Sequence, residues 1–121
     1  MSATSLPPRT GLWFRLLLPG GALGPGKIAL MRAVIAEGSV SGAARVLRMS
    51  HARSVKLVAE LNALAPSPLI DTRAGGPAGG GASVTPLGLA VLDAWVALDV
   101  AVQAAAEQKL AALAALLEPP T

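Results

Sequence analysis

The chain reads as a mainly α fold with a small β-hairpin, an α+β class, and three observations predict it. Alanine- and leucine-rich runs with helical spacing alternate with Ser, Thr and Pro-Gly punctuation. Two short β-prone stretches flank the glycine loop "AGGPAGGG". A final apolar run of about thirty residues carries a stripe that repeats every three or four positions. At 121 residues the chain is long enough for one domain with a modest core.

The elements follow in order. Residues 1–11 hold two prolines and little apolar content and are expected to form a loose leader. Leu12, Phe14, Leu16 and Leu18 alternate with Trp13, Arg15 and Leu17, which predicts one short strand ended by Pro19-Gly20-Gly21. Gly24-Pro25 opens a first helix that closes on Gly38, with Ile28, Met31, Val34 and Ile35 as its apolar stripe. Ser39 and Ser41 are both competent caps for a second helix, whose Ala43, Ala44, Val46 and Leu47 offer a close-packing surface before a break near Met49. Ser50 caps a third helix with Ser54, Leu57, Val58, Leu61 and Leu64 on its core face. Opposite lie Ala52, Lys56 and Ala59, flanked by Val55 on one side and Arg53 on the other, with His51 at the start. Pro66 and Pro68 end that helix. "LIDTR" and "ASVT" then form a hairpin around the glycine loop, and Thr85-Pro86 starts the last helix.

Charge is sparse, 14% of residues, and net +3. From Lys27 to Arg73 seven cations stand against three acids, leaving +4; from Ala74 onward one cation stands against four acids, leaving −3. The middle of the chain can therefore meet a polyanion while the tail does something else. Cysteine is absent, which removes disulfides and thiolate chemistry and fits a reducing, cytoplasmic compartment. Residues 11–18 are interrupted by Arg15 and too short for an export signal. In the last helix Asp93, Asp99, Glu107 and Lys109 recur too closely for a clean membrane span, so no membrane is expected. One histidine and seven acids, without a carboxylate pair or a nucleophile-base set, argue against an enzyme; no metal and no cofactor are expected. "GGPAGGG" is not followed by Gly-Lys-Ser/Thr, so it reads as a flexible tip and not a phosphate loop.

Helix, small-residue helix, basic-tipped helix and glycine-tipped hairpin is the order of a winged helix-turn-helix, in which the third helix enters the DNA major groove by its first turns. On that reading residues 12–85 are a DNA-binding domain and 86–117 a dimerisation helix. Arg53 and Lys56 would contact double-stranded DNA, and Ser50 with the helix start would hold a phosphate. Ser41, Arg48 and His51 would lie beside them, Ala52 and Val55 would approach the bases, and Arg73, Gly79 and Gly80 would form the wing contact. The stripe Val91, Trp95, Leu98, Val102, Ala106, Leu110 and Leu113 exceeds what so small a core can cover and implies a homodimer.

"LGPGKIALMRAV", "GSVSGAARVLRMS", "LVAELNAL" and "AGGPAGGGASVTPLG" resemble, in that order, the N-terminal DNA-binding domain of the ModE family of molybdate-responsive bacterial transcription regulators, itself similar to the LysR-type helix-turn-helix. The resemblance implies a winged helix-turn-helix homodimer that binds a two-fold operator, without the molybdate-binding module of full-length members. Regulation would then come from elsewhere, a separate effector-binding protein included. Family members commonly carry an aromatic residue where His51 stands and tryptophan at Val55, so the family's operator does not carry over. The expected function is a sequence-specific transcription regulator; the alternative is a protein-interaction module of the same fold that binds no DNA.

Overall fold

The computed structural model describes residues 11–73 and 81–119. The expected leader, apart from Gly11, and the wing-tip residues Gly79 and Gly80 lie outside them. Two hairpins and four helices follow one another: β1 (Leu16–Leu18), β2 (Gly21–Leu23), α1 (Pro25–Glu37), α2 (Val40–Leu47), α3 (His51–Asn62), β3 (Ile70–Arg73), β4 (Gly81–Val84) and α4 (Pro86–Leu117).

This corrects the expected class, which had one hairpin. The predicted single strand 12–18 is a strand only over its last three residues, and Pro19-Gly20 turns it back on β2 in the register Leu16↔Leu23, Leu17↔Ala22, Leu18↔Gly21. A Pro-Gly pair at the centre of a turn sets up hairpin return rather than strand termination. The second hairpin pairs Ile70 with Val84 and Arg73 with Gly81, in a separate sheet. Four helices with two unconnected hairpins therefore replace the winged helix-turn-helix assigned from element order.

Side-chain caps set the helix starts. Ser39 Oγ accepts from Gly42 N–H at 2.9 Å, Ser50 Oγ from Arg53 N–H at 3.1 Å, and Thr85 Oγ1 from Gly88 N–H at 3.0 Å. Of the two candidate serines before α2, Ser39 is the cap. Pro25 occupies the first turn of α1, and Gly38 ends that helix at φ 71°, a left-handed position that glycine takes without steric cost.

The core is built on α1, whose Ile28, Leu30, Met31 and Val34 are at most 1% exposed, and it extends through Ala43, Val58, Leu61, Leu69, Ile70, Leu92 and Trp95. Ile35 and Val46, expected to face inward, are instead exposed. Ser54 is fully buried and donates its hydroxyl to His51 O at 2.6 Å, so its burial leaves no polar group unpaired. After α3, the Asn62 amide stitches the chain to the second hairpin: its Oδ1 accepts from Leu69 and Ile70 N–H at 2.9 and 3.0 Å, and its Nδ2 donates to Ile70 O at 3.0 Å. Ala82 N–H donates to Gly38 O at 2.9 Å, tying β4 to the end of α1.

In α4 only Gly88, Leu92 and Trp95 are buried. The strap Gly11–Arg15 lies along its first half. Phe14 stacks on Trp95 with centroids 5.1 Å apart, and Gln103 pairs with both backbone groups of Leu12. Beyond Gln103 the helix runs on with no fully buried residue. It is long and apolar enough to cross a membrane by length and composition. Asp93, Asp99, Glu107 and Lys109 nevertheless punctuate it, and its first turns belong to the core.

Candidate functional site: two grooves beside one basic helix

The residues expected around the start of α3 line two grooves, one on each of the flanks to which Arg53 and Val55 were assigned. The larger, about 830 Å³, lies between the first hairpin, the start of α1, the α2–α3 turn and one flank of α3. Arg48, Ser50, Arg53 and Lys56 line it, joined by Arg15 and by Trp13. The smaller, about 520 Å³, lies between α2, α3 and the second hairpin and is lined by Ser41, His51, Val55 and Arg73 with Gly81. Ala52 is exposed and lines neither groove. The division follows from helical geometry: with Ser54, Val58 and Leu61 turned into the core, Arg53, Leu57 and Glu60 fall on one flank and His51, Val55 and Ala59 on the other.

The larger groove is strongly cationic. Lys27 is held at one end by Glu60 Oε1 at 3.3 Å and by Ala22 O at 2.7 Å. This is the only ion pair among the described residues, so Arg15, Arg48, Arg53 and Lys56 have no carboxylate within 4.0 Å there. Five cations and one carboxylate leave the lining at +4. The start of α3, capped by Ser50, adds the positive end of a helix dipole. The lining also carries apolar side chains, the half-buried Phe14, Leu47, Met49 and Leu57 and the exposed Trp13. The Arg15 stem crosses Gly24 so closely that a Cβ there would sit 2.6 Å from its Cγ.

Arg48 is held in an unusual conformation. It ends α2 at φ 56°, ψ 43°, the one non-glycine residue with positive φ among those described, and its N–H reaches back to Ala44 and Arg45 O. A side chain in this region costs about 1–2 kcal/mol against the right-handed form, and glycine is the usual occupant.

In the smaller groove Ser41 Oγ lies 3.4 Å from His51 Nδ1, and Arg73 folds its guanidinium over Gly81, where a Cβ would come within 2.9 Å of Nη2. No group of three or more His, Cys, Asp or Glu that could hold a metal ion occurs among the described residues. Sequence reasoning missed Trp13 and Arg15 as groove residues because the first hairpin, which brings them over α3, was not foreseen.

Of the expected dimer stripe, Trp95 is buried against Phe14 within the chain and Val91 packs against the core. Leu98, Val102, Ala106 and Leu110 are half-exposed, and Leu113 is exposed. Their one-sided alignment continues past the end of the body.

No family model matches the chain. Over 89 residues it is 35% identical to a molybdenum transport protein, ModE, of Azotobacter vinelandii, covering 74% of this chain and 33% of that protein. Over 83 residues it is 35% identical to the molybdenum-pterin-binding protein MopB of Rhodobacter capsulatus, covering 69% of this chain and 31% of that protein. Over 70 residues it is 36% identical to MopA of the same organism, also named a molybdenum-pterin-binding protein, covering 58% and 26%. The chain thus spans about a third or less of the length of the curated relatives it matches.

These similarities correct the functional reading. All three names speak of molybdenum, as transport or as molybdenum-pterin binding, and none of reading DNA. The resemblance to a DNA-binding domain without a molybdenum role gives way to similarity with proteins named for molybdenum itself. The LysR-type label and the sequence-specific transcription regulator give way with it. The names describe transport and binding.

Proposed function

We propose that this chain is a self-pairing module of a cytoplasmic, non-catalytic protein that handles molybdenum. The observation that carries the molybdenum assignment is the 35% identity over 74% of the chain with a molybdenum transport protein, reinforced by two relatives named for binding molybdenum-pterin. Pairing is supported by α4. Leu98, Val102, Ala106, Leu110 and Leu113 form an apolar seam, on the order of several hundred Å², which is at the limit of what a monomer tolerates in water. A second copy offering the same seam would cover it. Trp95 serves the chain's own core and takes no part.

Two measurements test this. Sedimentation equilibrium at micromolar concentration gives twice the chain mass, and Val102→Asp gives the chain mass with an unchanged circular dichroism spectrum; a wild-type monomer removes the pairing. In the source organism, deletion of the gene alters cellular molybdenum, read by mass spectrometry during molybdenum limitation. Identical contents with and without the gene remove the molybdenum role.

A further inference from the structure

We propose that the larger groove binds a small organic anion that joins a flat aromatic ring to a phosphate, of mononucleotide size. Four observations converge on that chemistry. A volume of about 830 Å³ is that of a site for a drug-sized ligand. Arg15, Arg48, Arg53 and Lys56 bring uncompensated positive charge to one lining, while Glu60, its one carboxylate, is occupied by Lys27. The lining also includes Phe14, Leu47, Met49 and Leu57, and with them Trp13, a large aromatic side chain 46% exposed on a chain with only three aromatic residues. A free inorganic anion would use the cations and leave this face idle; a neutral ring would do the reverse. An aromatic phosphate uses both, the ring against Trp13 and the apolar side chains, the phosphate among Arg48, Arg53 and Lys56.

Arg48 supplies the fourth observation. Glycine would end α2 with less strain, yet an arginine is held there in the left-handed region at a position that lines the groove. Strain kept at a cationic lining position is explained by what the guanidinium does for a bound anion.

Guanosine monophosphate serves as the probe, titrated into the intact protein. Trp13 and Trp95 are its two tryptophans, and Trp95 is only 7% exposed, so a saturable quench of tryptophan fluorescence reports Trp13. The expected result is saturable binding by both fluorescence and calorimetry. The quench disappears in Trp13→Phe, and affinity falls roughly tenfold or more in Arg53→Ala/Lys56→Ala, two exposed positions that leave the fold intact. Guanosine alone and inorganic phosphate alone bind at least tenfold more weakly. Arg48→Gly weakens binding while it raises the melting temperature, a combination that a purely structural arginine would not give. Three results would overturn the proposal: no saturable signal at millimolar probe, equal affinity in the Arg53/Lys56 variant, or inorganic phosphate binding as tightly as the nucleotide. A mixed-sequence DNA duplex that binds at low salt while the nucleotide does not would also overturn it, and would make the groove a track for a phosphate backbone.

Discussion

The first half of the molecule and the outer half of α4 are built from much the same residue types, alanine, leucine and valine, and do opposite things with them. In the body, α1 buries Ile28, Leu30, Met31 and Val34 almost completely, with α2, α3 and β4 packed around it. In α4 beyond Gln103, Leu113, Leu116 and Leu117 are 54–82% exposed, and nothing among the described residues buries them. Composition cannot tell these regions apart. What separates them is punctuation: Ser39, Ser50, Pro66 and Thr85 fold the first region back on itself within short distances, whereas no proline, glycine or cap interrupts α4 after Gly88. A helix with no reason to turn cannot find a partner in its own chain.

The sharpest way to break the contrast is a truncation of identical chemistry in both regions. Leu30→Ala removes a side chain with no exposure at all and is expected to lose about 2–5 kcal/mol of stability. Leu116→Ala, at a position 82% exposed, is expected to stay within about 0.5 kcal/mol. Urea unfolding of the two variants checks both; comparable losses would mean that the outer turns of α4 are as tightly packed as the body.

Within the body, the junction between α3 and the second hairpin is sensitive to polar loss. Asn62→Ala leaves Leu69 N–H, Ile70 N–H and Ile70 O without their side-chain partner at a partly buried site, for an expected loss of about 2–3 kcal/mol. Asn62→Asp keeps the acceptor but loses the donor, so it should fall between wild type and alanine in the same unfolding assay. Gly88 packs the first turn of α4 against the same hairpin. A Cβ there would meet Leu69 O and the Val84 side chain, so Gly88→Ala is expected to cost about 1–3 kcal/mol even though alanine is the better helix former. A gain in melting temperature would show that α4 can slide away from β3 and β4 without loss.

Much of the body was legible because short polar residues betray helix starts: Ser39, Ser50 and Thr85-Pro86 stand where α2, α3 and α4 begin. The glycine loop marked the second hairpin in the same way. The first hairpin was half-hidden, since Pro19-Gly20-Gly21 reads equally as an end and as a return, and the three residues of β2 carry no strand pattern of their own. That ambiguity also concealed the site. Without the return of the chain, Trp13 and Arg15 have no reason to face α3, and the basic residues of α3 look like one surface instead of one flank of a groove. Asn62 was invisible for another reason: its partners are backbone groups seven and eight residues away, and no side-chain pattern records them. The molybdenum connection depends on similarity to about a third or less of each relative and not on charge or spacing.

The strap is where the two regions meet most gently, and it should yield the smallest effect. Gln103 behaves toward Leu12 as a neighbouring strand would: its Oε1 accepts from Leu12 N–H at 3.0 Å, while its Nε2 donates to Leu12 O at 2.8 Å and to Asp99 Oδ1 at 3.1 Å. The two contacts to Leu12 are exposed, so water replaces much of what they supply, and Phe14 on Trp95 still holds the far end of the strap. Gln103→Ala is therefore expected to lose about 0.5–1 kcal/mol, while the Leu12 amide exchanges with solvent at least tenfold faster. Gln103→Glu should do worse than alanine despite its closer shape. Its carboxylate cannot donate to Leu12 O, and it places a second negative charge one helical turn from Asp99. An order of stability with glutamate above alanine would mean that Leu12 N–H alone holds the strap and that the paired geometry contributes nothing.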